Sequence, residues 1–405
     1  MNKVYTGLDI GENTVKLGVF KEVNGELRLL AKSEVKTRGV SKGKIIDQNK
    51  LVRSITIALN NVKDKLGIDI KKVVLSIKPK DVSYSVANTT VNVVDPNMIS
   101  GTDITNLVKA SLKGNIKEGY ELITASPVGY RLDNNKIVDN PKGKRSKKLF
   151  SKVILASVPR DYLIKYLKVV TEAGLEVIDV TFSVSADYSA CGNKVMSKEL
   201  GAVIDIGEES TTIGIINKGI MINSGTVNIG SRHVDSDISY MLKIGLKDAR
   251  ALKETYALAS IRYADKYDSI TLKDENGEDV KINQYKITEI VEKRLTEILN
   301  SSKKEIKNLT NRKISYIIIL GGLSEMTGLN YLSSHLLGER VTVWSSTTIG
   351  LRHNKYGTLI GTVKYFKDKL NIRSRSLSMI DEEDYERLEN TDEENMKKVA
   401  EMLND

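Results

Sequence analysis

The sequence predicts a duplicated α/β fold: two βββαβ halves facing each other across a cleft, with an α+β module inserted in the first half. Three observations predict it. The segments Gly7-Leu8-Asp9-Ile10-Gly11-Glu12-Asn13-Thr14-Val15 and Val203-Ile204-Asp205-Ile206-Gly207-Glu208-Glu209-Ser210-Thr211 are each an apolar strand ending in Asp-Ile-Gly, a polar turn and a second strand, 196 residues apart. Around the first turn, Val4, Leu8 and Ile10, then Val15, Leu17 and Val19, keep the period-2 pattern of a half-buried hairpin. A third element, Tyr316-Ile317-Ile318-Ile319-Leu320-Gly321-Gly322 followed by a helical stretch from about Glu325, is a strand, a glycine pair and a helix start.

In the first half, strands are predicted over about 3–10, 14–21 and 27–37. A helix follows over about 47–66: Asp47 caps it, Leu51, Ile55, Leu59, Val62 and Leu66 share one face, and Gly67 lies past its end. Val73-Val74-Leu75-Ser76-Ile77 is the next strand. The second half repeats the order, with strands near 202–207, 210–217 and 220–228, a helix over about 231–244, and a later strand at 314–320. Such repetition is the mark of a duplication. Residues 81–157 interrupt the scheme as an α+β module with a helix at 102–113 and strands around 120–132 and 149–157. Its basic run Lys142-Gly143-Lys144-Arg145-Ser146-Lys147-Lys148 reads as a solvated loop. Residues 246–312 are helix-rich and end in a long amphipathic helix through Ile287, Ile290, Val291, Leu295, Ile298, Ser302 and Ile306. Residues 374–395 are polar and acidic and read as a disordered linker. Beyond them Met396, Val399, Ala400 and Leu403 fall at i, i+3, i+4 and i+7, a short amphipathic helix suited equally to a membrane surface and to a partner protein, or a frayed end.

Composition bounds the function. The 405 residues carry a net charge of +10, but residues 381–405 hold eleven acids and three bases, so the rest is +18. A body this basic suits an anionic partner. Aromatic residues are only 5%, and no helix shows the clustered Arg/Lys face of a groove reader, so no nucleic-acid partner is expected. Cys191 is the single cysteine, which excludes an internal disulfide and points to a reducing cytoplasm. His233, His335 and His353 are far apart in the chain, so no zinc-type cluster is expected. No stretch approaches the ~20 apolar residues of a membrane span, and the first residues enter a strand without a secretory apolar region. The nearest match to a P-loop, Gly39-Val40-Ser41-Lys42-Gly43-Lys44-Ile45, is one residue short and lacks the hydroxyl residue after its lysine.

The turns suggest a nucleotide site. Gly11 and Gly207 at the tips let backbone amides approach a phosphate closely. Asp9 and Asp205 at the strand ends can hold Mg²⁺ through water, because this ion prefers hard oxygen ligands and keeps most of its hydration. The hydroxyls of Thr14, Ser210 and Thr211 can meet phosphate oxygens. Gly321 and Gly322 before a helix start suit close approach of a nucleotide.

These residues together resemble the actin-like ATPase superfamily, built on a ribonuclease H-like duplication, and within it the FtsA family of bacterial cell-division adaptors. Pro127-Val128-Gly129-Tyr130-Arg131-Leu132-Asp133 with Asp139-Asn140-Pro141-Lys142-Gly143 resembles the signature of that family's inserted subdomain. The stretch Gly230-Ser231-Arg232-His233-Val234-Asp235-Ser236-Asp237-Ile238 resembles its turn into the helix after the second hairpin. Residues 349–361, Ile-Gly-Leu-Arg-His-Asn-Lys-Tyr-Gly-Thr-Leu-Ile-Gly, resemble its closing segment. The resemblance covers about residues 1–370.

The resemblance implies subdomain 1A from 1–80, 158–198 and 361–380, and the inserted 1C from 81–157. It implies 2A from 199–230 and 309–360, 2B from 231–308, an acidic linker at 381–395 and a terminal amphipathic segment at 396–405. It places ATP and Mg²⁺ between Asp9-Gly11 and Asp205-Gly207, adds Asn13, Lys16 and Gly230 to the site, and puts the adenosine near Lys253 and Gly321-Gly322. It further implies capture of the FtsZ C-terminal tail by 2B, with Arg294 matching a basic residue that opens the family's long helix. Self-association into filaments and tethering to the inner face of the membrane at the division site, here through Met396, Val399 and Leu403, complete the expectation.

The chain also departs from the family. Glu12 replaces a small hydroxyl residue, Glu208, Glu209 and Thr212 replace glycines and a later Asp, and Arg250 replaces a Glu near the adenosine. A carboxylate about 5 Å from a phosphate charge, at an effective dielectric of about 20, costs roughly 3 kcal/mol, or about a hundredfold in affinity. That cost is avoided where the side chain points outward, as hairpin-tip residues can, or where Mg²⁺ screens it, so nucleotide binding is still expected. No residue is seen to position an attacking water, so weak or no ATPase activity is expected. The terminal segment has only Lys397 and Lys398 as bases, so its lipid binding alone is weak. Two other readings stay open: a pilus-assembly scaffold similar to PilM, favoured by Thr14-Val15-Lys16 and Ser210-Thr211-Thr212, and a metabolite kinase of the same superfamily, which lacks a visible Asp base.

Overall fold

The computed structural model describes residues 3–37, 39–274 and 276–390. Met396, Val399 and Leu403 lie outside the described residues.

Two mixed five-stranded sheets of one plan form the frame. In the first, Val4–Ile10 is central. It runs antiparallel to Thr14–Val23, which pairs antiparallel with Glu26–Lys36, and parallel to Lys72–Ile77, which pairs parallel with Glu176–Phe182. In the second, Leu200–Ile206 holds the same place. It is antiparallel to Thr211–Asn217 and, beyond it, Ile220–Val227; it is parallel to Tyr316–Leu320 and, beyond that, Val341–Val343. The duplication read from the two Asp-Ile-Gly turns is thus a duplication of topology.

The hairpin pattern predicted one exposed face, yet every residue of Val4–Ile10 is buried. Helices cover both faces of its sheet. Leu8 and Ile10 join Leu51 and Ile55 of the helix Gln48–Leu66 in one core, while Tyr5 joins Leu359 and Val363 of Gly357–Ile372 in another. Gln48–Leu66 matches its expected bounds because its ends are chemically fixed. The Asp47 side chain accepts the Lys50 N–H at its start, and Gly67 at φ 70° returns its N–H to the Lys63 carbonyl.

The halves meet along two helices, Ser183–Cys191 and Gly357–Ile372. A Cβ at Gly361 would overlap the Ala186 carbonyl, so glycine is what lets the two backbones touch. The Thr358 hydroxyl adds a 2.6 Å bond to Asp187 Oδ1.

The insert is a second mixture of strands and helix. Ser83–Asn92, Tyr120–Pro127 and Tyr130–Leu132 all pair with the long strand Lys148–Pro159, and the helix Gly101–Ser111 packs on them. Within 246–312 the structure adds a hairpin, Ser269–Lys273 with Asp279–Asn283, that the helix-rich reading lacked. The long helix there is Gln284–Leu309.

Residues 374–395 were expected to form a disordered linker. Up to residue 390 the chain instead lies on the first half, with a helix over 382–390. Met379, Ile380 and Leu388 are buried, the Met379 N–H donates to the Val4 carbonyl at 2.9 Å, and Lys21 pairs with Glu389 at 3.0 Å. Few apolar residues suffice here because the rest of the surface they cover is already built.

Candidate functional site

Both central strands end at the carboxyl edge of their sheet, where open α/β sheets place ligand sites. The two turns close alike: the Gly11 N–H donates to Thr14 O at 3.0 Å and the Gly207 N–H to Ser210 O at 3.1 Å. A Cβ would stand 2.9 Å from Thr14 O at Gly11 and 2.8 Å from Ser210 O at Gly207, so each turn requires glycine.

Behind the turns sits a group of buried carboxyls. Asp9 pairs with Lys16 across its hairpin at 3.0 Å and accepts the Ser76 hydroxyl from the neighbouring strand at 3.0 Å. Burial works to lower the Lys16 pKa, and the surrounding carboxylates, Asp9 foremost with Glu34 and Asp205 adding, together outweigh it and leave Lys16 raised. Asp205 still touches the cleft, but protein surrounds it on the other sides; that burial, with Asp9 adding and Lys78 opposing, pushes its pKa up to about 6. Asp187 has one oxygen on Thr358 and one with no partner among the described residues. Burial, with the Asp205 charge nearby, holds its carboxyl well above the usual range. Crowded acids with one direct lysine partner are a setting that a hard cation would relieve.

The tip carboxylates do not point outward. Glu12 Oε2 accepts the Glu209 N–H at 2.9 Å, its Oε1 accepts the Ser210 hydroxyl at 2.9 Å, and Lys78 Nζ lies 3.0 Å away. Glu209 reaches back to the Ser41 hydroxyl at 2.6 Å and the Lys42 N–H at 3.1 Å, with Arg232 at 2.9 Å. Glu208 pairs with Arg250 and accepts the Ser231 hydroxyl at 3.1 Å. The reason is the basic, amide and hydroxyl groups lining both sides of the cleft, which make the inward rotamer the satisfied one.

The remaining predicted residues divide into two groups. Gly321, at φ 100°, packs against Ile206 and Asp205, where any Cβ would collide, and Gly322 faces open space. Gly230 presses on the carbonyls of Gly207 and Glu208, so these residues, with Asp9, Lys16, Asp205 and Ser210, converge on the cleft. Thr211 does not offer its hydroxyl there: it donates to the Ile229 carbonyl at 2.7 Å. Asn13 meets the cleft network only through Arg250, at 3.5 Å. Lys253 is buried against Asp235 at 2.6 Å, and Arg250 holds the same Asp235 at 3.0 Å. Thr14 supplies its backbone carbonyl to the turn.

Arg294 lies elsewhere, ten residues into a helix that begins at Gln284, so it does not open that helix. Its guanidinium grips Asp237 at 2.6 and 2.8 Å and Glu297 at 2.6 Å. Asp235 and Asp237, two residues apart, occupy opposite sides of the helix Ser231–Leu242 and serve separate networks.

Sequence reasoning missed Lys78, Ser76 and Asp187. Lys78 stands directly after a strand at the sheet's carboxyl edge, a legible signal, whereas Asp187 shares a short helix with Ser183, Ser185 and Ser189, which no apolar spacing marks as buried. A cavity of about 430 Å³, lined by Ser324, Glu325, Met326 and Arg352 among others, adjoins the Gly-Gly turn but includes neither Asp9 nor Asp205.

The family model described as cell division protein FtsA matches residues 202–361, and that of the SHS2 domain inserted in FtsA matches residues 80–157. The chain is 28% identical over 373 residues to the cell division protein FtsA of Streptococcus pneumoniae, spanning 89% of this chain and 79% of that protein. It is 24% identical over 381 residues to the cell division protein FtsA of Bacillus subtilis, spanning 93% and 86%. Among solved structures, that of a PilM–PilN type IV pilus biogenesis complex is similar with a TM-score of 0.59 and 15% identity over 89% of this chain and 98% of that one. MreB5 of Spiroplasma citri bound to ADP follows with a TM-score of 0.56 and 14% identity over 91% and 98%. These two likenesses speak for the fold, which is the actin-like one.

Proposed function

Because this chain belongs to the FtsA family of cell division proteins and has the actin-like fold, we propose that it is a nucleotide-binding adaptor of the division machinery. It binds ATP with Mg²⁺ between the two hairpins, associates with copies of itself into filaments, and links the FtsZ C-terminal tail to the inner face of the cytoplasmic membrane at the division site.

The convergence of Asp9 and Asp205 on one cleft carries this reading. The acids fit a hydrated cation: Asp205, raised by burial beside Asp9, gains most from one. Gly11, Gly207, Ser210 and Lys16 would meet phosphate, Gly322 has open space for a nucleoside, and Lys253 stands behind Arg250. A bound Mg²⁺ would supply positive charge to the phosphates and to these acids. The similarity to MreB5 bound to ADP supports a nucleotide, and the acidic setting of Asp9 and Asp205 supports the metal.

The remaining roles rest on family membership. Residues 231–308 would receive the FtsZ tail at Arg294, the insert at 81–157 would carry self-association, and Met396, Val399 and Leu403 would enter the membrane surface. No helix among the described residues is long and apolar enough to cross a membrane. Vesicle recruitment tests the adaptor. With anionic vesicles, the full chain should carry FtsZ into the pellet, and a chain lacking residues 396–405 should leave it in the supernatant. FtsZ absent from the pellet in both cases would overturn the linking role.

A further inference from the structure

Glu12 fills donors of the opposite hairpin together with a lysine of its own half. It sits between Gly11 and Asn13, and its side chain is 1% exposed. The groups that hold it are the Glu209 N–H, the Ser210 hydroxyl and the Lys78 ammonium, at 2.9, 2.9 and 3.0 Å. Lys78 also donates to Ser210 Oγ at 2.9 Å, which fixes the hydroxyl toward Glu12. A tip amide next to a glycine turn, a hydroxyl and an ammonium form an anion-binding set, the kind of cradle that receives phosphate oxygens. Here the anion is the chain's own carboxylate.

The contact also joins the two halves. Glu12 runs from the first hairpin to the second, and Glu209 runs from the second hairpin back to Ser41 and Lys42 of the first half. The two carboxylates therefore cross the cleft in opposite directions, but only Glu12 uses up donors that face the cleft floor.

We propose that Glu12 is an internal phosphate surrogate: it occupies the anion-binding donors of the second hairpin, latches the lobes together in the nucleotide-free chain, and must be displaced for a nucleotide to bind. This rests on the nucleotide reading given above. It makes nucleotide affinity a competition in which the incoming phosphates exchange places with a tethered carboxylate. Glu209, whose partners are the Ser41 hydroxyl, the Lys42 N–H and the Arg232 guanidinium, all outside that donor set, latches without competing.

Titration calorimetry with Mg²⁺ and ATP on the full chain tests it, alongside small-angle scattering of the nucleotide-free proteins. Glu12→Ala should bind ATP at least about tenfold more tightly than the unaltered chain, since removing the tethered charge frees all three donors. Its nucleotide-free radius of gyration should rise. Glu12→Gln, which keeps the volume and one acceptor, should move both readings the same way by less and covers the case in which Glu12→Ala folds poorly. Glu209→Ala should change affinity less than about threefold. Equal affinities for the unaltered chain and both Glu12 variants would overturn the latch and leave the nucleotide site standing. Failure of every protein to bind ATP at millimolar concentration would overturn the latch together with the nucleotide reading.

Discussion

Lys16 Nζ stands 3.0 Å from Asp9 Oδ2 as its cross-strand partner, whereas Asp205, in the equivalent place of the second sheet, faces Thr212. The duplicated strands are therefore alike in backbone and unlike in charge. Asp9 is neutralised within its own hairpin. Asp205 is not, and the buried Thr212 hydroxyl finds no partner among the described residues.

This asymmetry predicts a pH dependence. The Asp205 carboxyl is easier to protonate in the folded chain, near pH 6, than at its ordinary value of 3.8. Its contribution to stability is therefore fully present below about pH 4 and lost as pH rises through about 6. Asp205→Asn should flatten that part of the metal-free stability curve and abolish the stabilisation by Mg²⁺ and ATP seen at about pH 7. Thermal melts across this range decide it; superimposable profiles for the two proteins would remove Asp205 from the account.

Arg294 gives a second prediction. Its bidentate grip on Asp237 ties the helix Ser231–Leu242 to Gln284–Leu309, but Val234, Ile238, Val291 and Leu295 are buried in the same core, so folding does not depend on it. Arg294→Glu should weaken binding of an FtsZ tail peptide at least about tenfold, and should leave the thermal shift by ATP unchanged. Asp237→Asn removes one charge partner while Glu297 stays on the guanidinium, and should preserve peptide binding. Equal peptide affinity of Arg294→Glu and the unaltered chain would place the tail elsewhere.

A third prediction concerns the contact between the helices Ser183–Cys191 and Gly357–Ile372. A Cβ at Gly361 meets the Ala186 carbonyl, whereas one at Gly322 meets nothing within 4 Å. Gly361→Ala should therefore destabilise the fold by about 1–3 kcal/mol, and Gly322→Ala should leave stability nearly unchanged while weakening ATP binding. Urea denaturation would show it; equal midpoints for the two variants would mean the helices part at little expense.

The sequence by itself determined the parts whose causes are local. The Asp-Ile-Gly turns, the alternation of Val15, Leu17 and Val19, and the capped helix with Asp47 and Gly67 at its ends are written in spacings of a few residues, so strands and helices fell within a few positions of their places. The repeated order of elements was legible for the same reason, and with it the two-lobed plan. Tertiary structure decided everything set by groups distant in the chain. Glu12 turns inward because the Glu209 N–H and the Ser210 hydroxyl wait across the cleft, and Glu209 because Ser41 and Lys42 do. Thr211 spends its hydroxyl on Ile229, and the acidic stretch before residue 390 folds because Val4 and the first sheet offer it a surface. A side chain's direction depends on which partners lie within bonding distance, and a linear pattern carries that information only for neighbours.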